Sequence, residues 1–385
     1  MSSDLIKITN SKNNINAENQ LKKETGKEWK KNESDSLELG SFDFNKKIFY
    51  HPENIKSYKE GRRPFPVTLE VDLTNNCNHR CSFCYYAEHI GVNKDSLDTA
   101  TIKNALTDAK ILGTKGISLT GGGEPMMHKD YEEILKYAKQ IGFDVGTITN
   151  GSAINERNVS TMLENLQFIR ISMAGGDRDS YSKVQGVDQF DRVVQNIRLL
   201  SDKKVELGSK TKIGIRTLVT PQNIHTLDNF AEIIKDLNID HYQLAPDMYT
   251  DDKGSFWNDP KTQNVFKKVK HTIEPKGIKL LTTTFMAAQE NLDFPSTCYA
   301  HFFMSTITAE GNLIFCKNAR GENDFVIGNI YEKSLKEIWN DSKTREIESW
   351  VRPNNCGLFC KHMAINNAME EIINPNAEDT PNFVG

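Results

Sequence analysis

The chain predicts an α/β fold built on a parallel sheet, and three observations carry that expectation. Short apolar runs of strand character recur near 67–73, 116–120, 143–149, 168–173, 212–219 and 241–245. The stretches between them place apolar residues at helical spacing. After about residue 285 the alternation stops, which marks a boundary. Strands alternating with helices at this spacing imply a parallel sheet with crossover helices. Six repeats fit an open doubly wound sheet or a partial barrel, and the pattern alone leaves both open.

Residues 1 to about 45 are rich in Lys, Asn, Glu and Ser, with Trp29 the only aromatic before Phe42. Such a segment buries too little apolar surface to offset its ordering entropy, so 1–45 is expected to be a disordered or loosely docked tail, with partner docking through Trp29 as the alternative. From Pro66 the repeats begin. Ile102, Leu106, Ala109 and Leu112 form the first helical stripe, capped by Asp98 and ended by Gly113. Tyr131, Ile134, Leu135, Ala138 and Ile141 form the second, ended by Gly142. Val159, Met162, Leu163 and Leu166 follow, then Val193, Val194, Ile197 and Leu200, then Leu227, Phe230, Ile233, Ile234 and Leu237. Beyond the boundary, 303–308 and 313–316 flank Ala309-Glu310-Gly311-Asn312 as a hairpin. A short strand over 326–330 and a helix from about Ser334 to Trp350 complete the pattern. The expected division is a barrel-like domain over 66–285, a small α+β extension over 286–365 and a tail over 366–385.

The chain has 385 residues and a formal net charge of −4, which gives no electrostatic case for a nucleic-acid or anionic-membrane partner. No stretch approaches the roughly 18 consecutive apolar residues of a spanning helix. The amino terminus lacks the apolar centre of a secretory signal. Seven cysteines is an odd number, and their clustering points to metal ligation rather than a disulfide framework. These features lead to an expected cytoplasmic location.

The most specific feature is Cys77-Asn78-His79-Arg80-Cys81-Ser82-Phe83-Cys84, which follows the first strand-like run. Three thiolates so close can wrap one face of a cubane iron–sulfur cluster, which normally takes four cysteines. One iron is then open to another molecule. A structural zinc site would need four ligands in two pairs, which a lone CxxxCxxC does not supply. Leu119-Thr120-Gly121-Gly122-Gly123-Glu124-Pro125 ends the second strand, where glycines permit a sharp turn and close backbone approach. Loop and strand end together resemble the radical S-adenosylmethionine (SAM) enzymes, with their CxxxCx(aromatic)C loop and GGE-type motif.

The resemblance implies a partial (β/α)6 TIM-like barrel with its chemistry at the carboxyl ends of the strands. It implies that Cys77, Cys81 and Cys84 bind a [4Fe–4S] cluster whose open iron takes the methionine part of SAM, which an electron from the cluster cleaves to a 5′-deoxyadenosyl radical. Gly122, Gly123 and Glu124 inherit the hold on the methionine ammonium, and Phe83 the place against the adenine. Asn150 and Ser172, ending the third and fourth strands, match polar positions that bind the ribose or carboxylate. Each also reads as a simple strand-end cap. Arg216 on the fifth strand is placed to pair with the SAM carboxylate, or to form a surface ion pair.

Cys298, Cys316, Cys356 and Cys360 all fall in the extension. Gly311-Asn312-Leu313-Ile314-Phe315-Cys316 and Cys356-Gly357-Leu358-Phe359-Cys360 resemble the auxiliary-cluster extensions of radical SAM enzymes, called SPASM with two clusters and twitch with one. The further cysteines of a full SPASM pattern are absent, so a twitch-like extension with one auxiliary [4Fe–4S] cluster is expected. A zinc site on the same thiolates is the alternative, with His362 a spare ligand. Three plus four ligands use every thiol, leaving none to return a hydrogen atom. That favours two-electron oxidation of an alcohol carbon over epimerisation, with the auxiliary cluster accepting an electron. The expected substrate is a small molecule of sugar, aminocyclitol or nucleotide-sugar type, with a reduced flavodoxin or ferredoxin type donor. A sulfatase-type peptide maturase, an epimerase and a non-catalytic iron–sulfur carrier are the alternatives. Asp247, after the sixth strand and beside Tyr249, is the candidate base.

Overall fold

The computed structural model describes residues 47–87, 95–247, 255–282, 297–351, 360 and 362–374. The expected amino-terminal tail with Trp29, and also Tyr249 and Cys356, lie outside the described residues. The chain divides into two compact units. One comprises Thr68–Leu292 with Met304–Ile347, the other Met1–Val67 with Asp293–Phe303 and Glu348–Gly385.

In the first unit the six expected strands form as β1 (Thr68–Asp72), β2 (Gly116–Thr120), β3 (Asp144–Thr149), β4 (Phe168–Ser172), β5 (Lys212–Val219) and β6 (His241–Pro246). All pair in parallel with their sequence neighbours. A further parallel strand, β7 (Lys279–Thr282), adds to β6. With only two leucines between polar ends, it gives no readable apolar run. At the opposite edge β8 (Met304–Ile307) pairs in parallel with β1, and β9 (Asn312–Ile314) and β10 (Val326–Asn329) follow antiparallel. The order β10-β9-β8-β1-β2-β3-β4-β5-β6-β7 does not close on itself. The architecture is a mixed α/β fold with an open, barrel-like parallel sheet. Residues 304–347, expected in the extension, belong to the same unit as the barrel strands, because β8 completes the hydrogen bonding of β1.

The crossover helices form where the apolar stripes stood: α2 (Thr99–Ile111), α3 (Tyr131–Gln140), α4 (Val159–Asn165), α5 (Arg178–Gln185), α6 (Phe190–Glu206), α7 (Leu227–Ile234) and α8 (Pro260–Ile273), after an earlier α1 (Pro52–Lys59). Asp98 caps α2, accepting from the Thr101 amide at 2.9 Å. The stripe of α6, Val193, Ile197 and Leu200, is buried. The expected helix over 334–350 is broken at Asp341 into α9 (Leu335–Asn340), with a Ser334–Glu337 capping box, and α10 (Ser342–Trp350).

Register sorts the strand residues onto two faces. One carries Leu69, Ile117 and Val145 in one row and Thr147, Ile169 and Ile213 in another, all 2% exposed or less. The opposite face, the inside of the open barrel, carries Glu70 and Ser118, Ile148 and Arg170, and Ser172, Arg216 and Gln243. The inner wall thus carries polar side chains on β1, β2, β4, β5 and β6.

In the second unit, Asn366 Oδ1 accepts from the amides of Tyr299 and Ala300 at 2.8 Å each. Asn366 lies on α11 (Met363–Ile373), whose Met363, Ala368 and Met369 are buried. Part of the stretch expected as a tail from 366 onward is therefore packed helix. Among the described residues no helix is long and apolar enough to cross a membrane.

Candidate functional site

The loop after β1 that carries Cys77, Cys81 and Cys84 is fastened from three sides. From the end of β2, the Gly123 amide donates to Thr74 O at 3.0 Å and the Glu124 amide to Asn76 O at 2.9 Å. A Cβ at Gly122 would collide with Asn75 and Tyr86, and one at Gly123 with the Asn76 backbone. The glycines are therefore needed for the loop to lie against the strand end. From the end of β3, Asn150 Nδ2 donates to Asn78 Oδ1, and Asn78 Nδ2 to Ser152 Oγ, both at 2.8 Å. From α5, the terminal carbonyls of Gln185 and Val184 accept from the amides of Arg80 (3.1 Å) and Ser82 (2.8 Å). These bonds satisfy carbonyls that a helix end leaves open.

Within the loop, His79 is 1% exposed and its Nε2 lies 2.9 Å from the Tyr181 hydroxyl. Burial pulls its pKa down to about 4, so the ring is neutral. The His79 amide donates to Cys77 Sγ at 3.4 Å. Burial also pushes the Cys77 thiol up to about 11 and the Cys81 thiol up to about 12, with charge on the neighbouring thiols adding to the shift.

Glu124 is 3% exposed and joins the ends of β2 and β3. Its carboxylate accepts from Thr149 Oγ1 at 2.7 Å, the Asn150 amide at 2.7 Å and the Met126 amide at 3.2 Å. Desolvation raises its pKa while these donors oppose the rise. A carboxylate offers about four acceptor directions, so three donors leave room for one more. Asn150 uses its amide for Asn78 and its Oδ1 for Ser152.

Phe83 is half-buried between Ser82 and Cys84. Ser172 and Arg216 face each other in register across β4 and β5, away from the cysteine loop's own hydrogen bonds. Asp247, 5% exposed, follows β6 and by alternation shares the inner side with Gln243.

A charged cluster that the sequence reading did not single out lies on the inner side of β1. Arg320 donates from Nη2 to Asp72 Oδ1 at 2.8 Å and to Glu70 Oε2 at 3.2 Å, and from Nη1 to the Tyr85 hydroxyl at 2.7 Å. Lys317 Nζ donates to Glu70 Oε1 at 2.9 Å. Burial works against the Arg320 charge, yet Asp72, Tyr85 and Glu70 hold the guanidinium protonated well above its ordinary value. The neighbouring Cys316 thiol is pushed up by burial and feels the charges of Lys317, Glu70 and Arg320. Asn78, Thr149 and Ser152 were also missed. Their only signal was a small polar side chain at a loop or strand end.

The sequence pattern of the radical SAM superfamily matches residues 71–232, and that of the SPASM iron–sulfur cluster-binding domain matches 298–361. The chain carries a radical SAM domain and a SPASM domain. Among curated relatives, a probable GTP 3′,8-cyclase of Saccharolobus islandicus is 30% identical over 177 residues, 46% of this chain and 55% of that protein. The chain thus spans about half the length of the curated relatives it matches first. A tungsten-containing aldehyde ferredoxin oxidoreductase cofactor-modifying protein of Pyrococcus furiosus is 25% identical over 312 residues, 74% of this chain and 82% of the relative. Among solved structures, Streptococcus suis SuiB bound to S-adenosylmethionine superposes with a TM-score of 0.60 at 19% identity, covering 84% of this chain and 78% of SuiB. At that identity the likeness is one of fold.

A radical SAM protein takes SAM and a [4Fe–4S] cluster, and its SPASM part takes auxiliary iron–sulfur. The donor set fits that chemistry. None of the six described cysteines is in a disulfide. The three thiols of the β1 loop are half-buried, and their raised pKa values mean that thiolates there need a cation to offset burial. Soft sulfur donors select iron–sulfur clusters over hard cations. Among the described residues no three His, Cys, Asp or Glu side chains form a ready-made site for a single metal ion. Of the later cysteines, Cys316 lies in the barrel unit, Cys298 and Cys360 in the other, and Cys356 outside the described residues. Asn366 Nδ2 donates to Cys360 Sγ at 3.9 Å.

Proposed function

We propose that this radical SAM protein oxidises a hydroxyl-bearing carbon of a small molecule by two electrons. When bound, the three-cysteine cluster with SAM supplies hydrogen abstraction, and the auxiliary cluster supplies an electron acceptor. Cys77, Cys81 and Cys84 are the ligands of the first cluster, and Cys298, Cys316, Cys356 and Cys360 those of a single auxiliary [4Fe–4S] cluster. Glu124 keeps one acceptor direction for the SAM ammonium while its other bonds fix the ends of β2 and β3. Ser172 and Arg216 present a hydroxyl and a guanidinium side by side for the SAM carboxylate. Phe83 faces the adenine. Asn150 acts on the site chiefly by steadying Asn78 and with it the cysteine loop. Asp247, buried at the end of β6, receives the proton lost as the carbonyl forms. A small reduced donor of flavodoxin or ferredoxin type delivers the electron that starts each turnover.

The observation that carries this reading is the place of Cys316 in the chain, directly before Lys317 and close before Arg320, which both donate to Glu70 on the inner side of β1. An auxiliary ligand at the chamber wall supports electron removal from a substrate held inside the barrel. The long match to a cofactor-modifying relative supports a small molecule over a peptide. The test is anaerobic turnover in deuterated water with SAM and candidate hydroxylated metabolites. Oxidation gives a carbonyl product and 5′-deoxyadenosine in equal amounts. Solvent deuterium installed at the reacting carbon with inverted configuration would overturn it in favour of epimerisation.

A further inference from the structure

Among the described residues Arg170 is a cation without an ion-pair partner. On β4 it alternates with the fully buried Ile169 and Ile171, so it faces the inside of the barrel. Its Nε is buried and accepted by no oxygen. Among the described residues no carboxylate reaches it within ion-pair distance, in contrast to Arg320, which holds two. Its in-register neighbour on β5 is Gly214, and the space that a side chain there would take is filled by the His241 ring. Two residues farther along β5 stands Arg216, a second cation. Burial, then Arg216, pull the pKa of Arg170 down to about 9, against a smaller pull from Glu70. Burial likewise lowers Arg216. The described part of the fold therefore keeps a guanidinium inside the chamber, next to another, with no carboxylate at ion-pair distance. Desolvated and unpaired, such a charge is costly unless a ligand completes it.

We propose that Arg170 anchors an oxyanion of the substrate, a carboxylate or a phosphate, within the barrel and one step along the strands from the Ser172–Arg216 pair. The inference rests on the proposed small-molecule oxidation and narrows its substrate to one carrying a negative charge apart from the carbon that reacts. The strand register supports a division of labour. Arg216, paired with Ser172 at the carboxyl end of β4, serves the SAM carboxylate. Arg170, deeper by two residues, remains for the substrate. A guanidinium fork matches both anions bidentately, and the planar carboxylate and the tetrahedral phosphate are told apart by the probe used.

The experiment is a thermal shift of the reconstituted, anaerobic holoenzyme with SAM saturating, so that Arg216 is occupied. Sodium phosphate and sodium acetate are titrated in separate arms at ionic strength held constant with sodium chloride. A ligand that binds only the folded state raises the melting temperature saturably. One of the two anions is expected to do so in the wild type, phosphate marking a phosphorylated substrate and acetate a carboxylated one. In Arg170→Met the apparent Kd for that anion weakens about tenfold or more, while the shift caused by SAM is retained. Should Arg170→Met yield no folded holoenzyme, Arg170→Lys decides, since it keeps the charge and loses the fork. A weaker anion response with the SAM shift intact then supports the anchor. No saturable response in the wild type, or an equal response in the variants, overturns it. An anion response that depends on Arg170 without any carbonyl product would instead fault the proposed oxidation and leave the anchor standing.

Discussion

Arg320 clasps Asp72 with two nitrogens, Nη2 at 2.8 Å from Oδ1 and Nε on Oδ2, and neither side chain is more than 2% exposed. The pair joins β1, just before the cysteine loop, to the turn that follows Cys316. Both cysteine segments are thus braced by one guanidinium, which also reaches the Tyr85 hydroxyl beside Cys84.

Among the described carboxylates, Asp72→Asn leaves that guanidinium only Glu70, at 3.2 Å. The expected loss in urea unfolding is about 3 kcal/mol, the lower end of what breaking a buried pair costs. Combining Asp72→Asn with Arg320→Met should recover much of it. A double variant no more stable than Asp72→Asn alone would show that the loss is not electrostatic.

Replacing Cys77, Cys81 and Cys84 together with Ala should abolish 5′-deoxyadenosine formation and remove one cluster's Mössbauer signal, leaving the auxiliary signal in place. Continued SAM cleavage by the triple variant would sink the assignment of those three ligands.

Anaerobically reconstituted protein should carry about eight irons, two four-iron clusters on seven thiolates plus SAM. Iron and zinc analysis of the same sample checks this. Four irons with one tightly held zinc would turn Cys298, Cys316, Cys356 and Cys360 into a structural zinc site.

His241 is 6% exposed, and burial lowers its pKa to about 4. Its charged form is disfavoured by the fold, so between about 4 and the unfolded value near 6.5 the unfolded chain binds more protons. The stability from this group is complete above that range and falls as pH drops through it, by on the order of 3 kcal/mol in full. Urea unfolding at pH 7.5 and 5.5 should show a smaller pH-linked loss in His241→Gln than in the wild type. Equal losses would mean that His241 is not the group responsible.

Much of the barrel was legible because its signals are local. An apolar run of five residues between a turn and a helical stripe needs no tertiary information, and Asp98 and Gly113 bracket α2 by chain chemistry alone. β7 escaped because a short edge strand with two apolar residues leaves little pattern. The pairing of β8 with β1 escaped for a different reason, since nothing in either run names a partner so far away in sequence. At the site, the cysteine spacing and the glycine run were readable because each is contiguous. Arg320 and Arg170 were not: Arg170 stands between two isoleucines in a strand, which by itself gives it no role. What it lacked, a counter-charge, is visible only once the neighbouring strands are in place.

The parallel pairing of β1 with β8 also governs how the chain comes into being. Thr68 aligns with Met304, so the strand that leads into the cysteine loop is synthesised more than 230 residues before its neighbour on that side exists. At ribosomal speeds that interval is on the order of ten seconds or more. During it the nascent barrel presents a raw strand edge of the kind that recruits other chains. A chain shortened before Met304 would keep all three cysteines of the loop and still carry that edge permanently. The carboxyl-terminal strands are therefore part of the barrel's protection against self-association, and removing them to obtain a minimal SAM-cleaving domain should give aggregates.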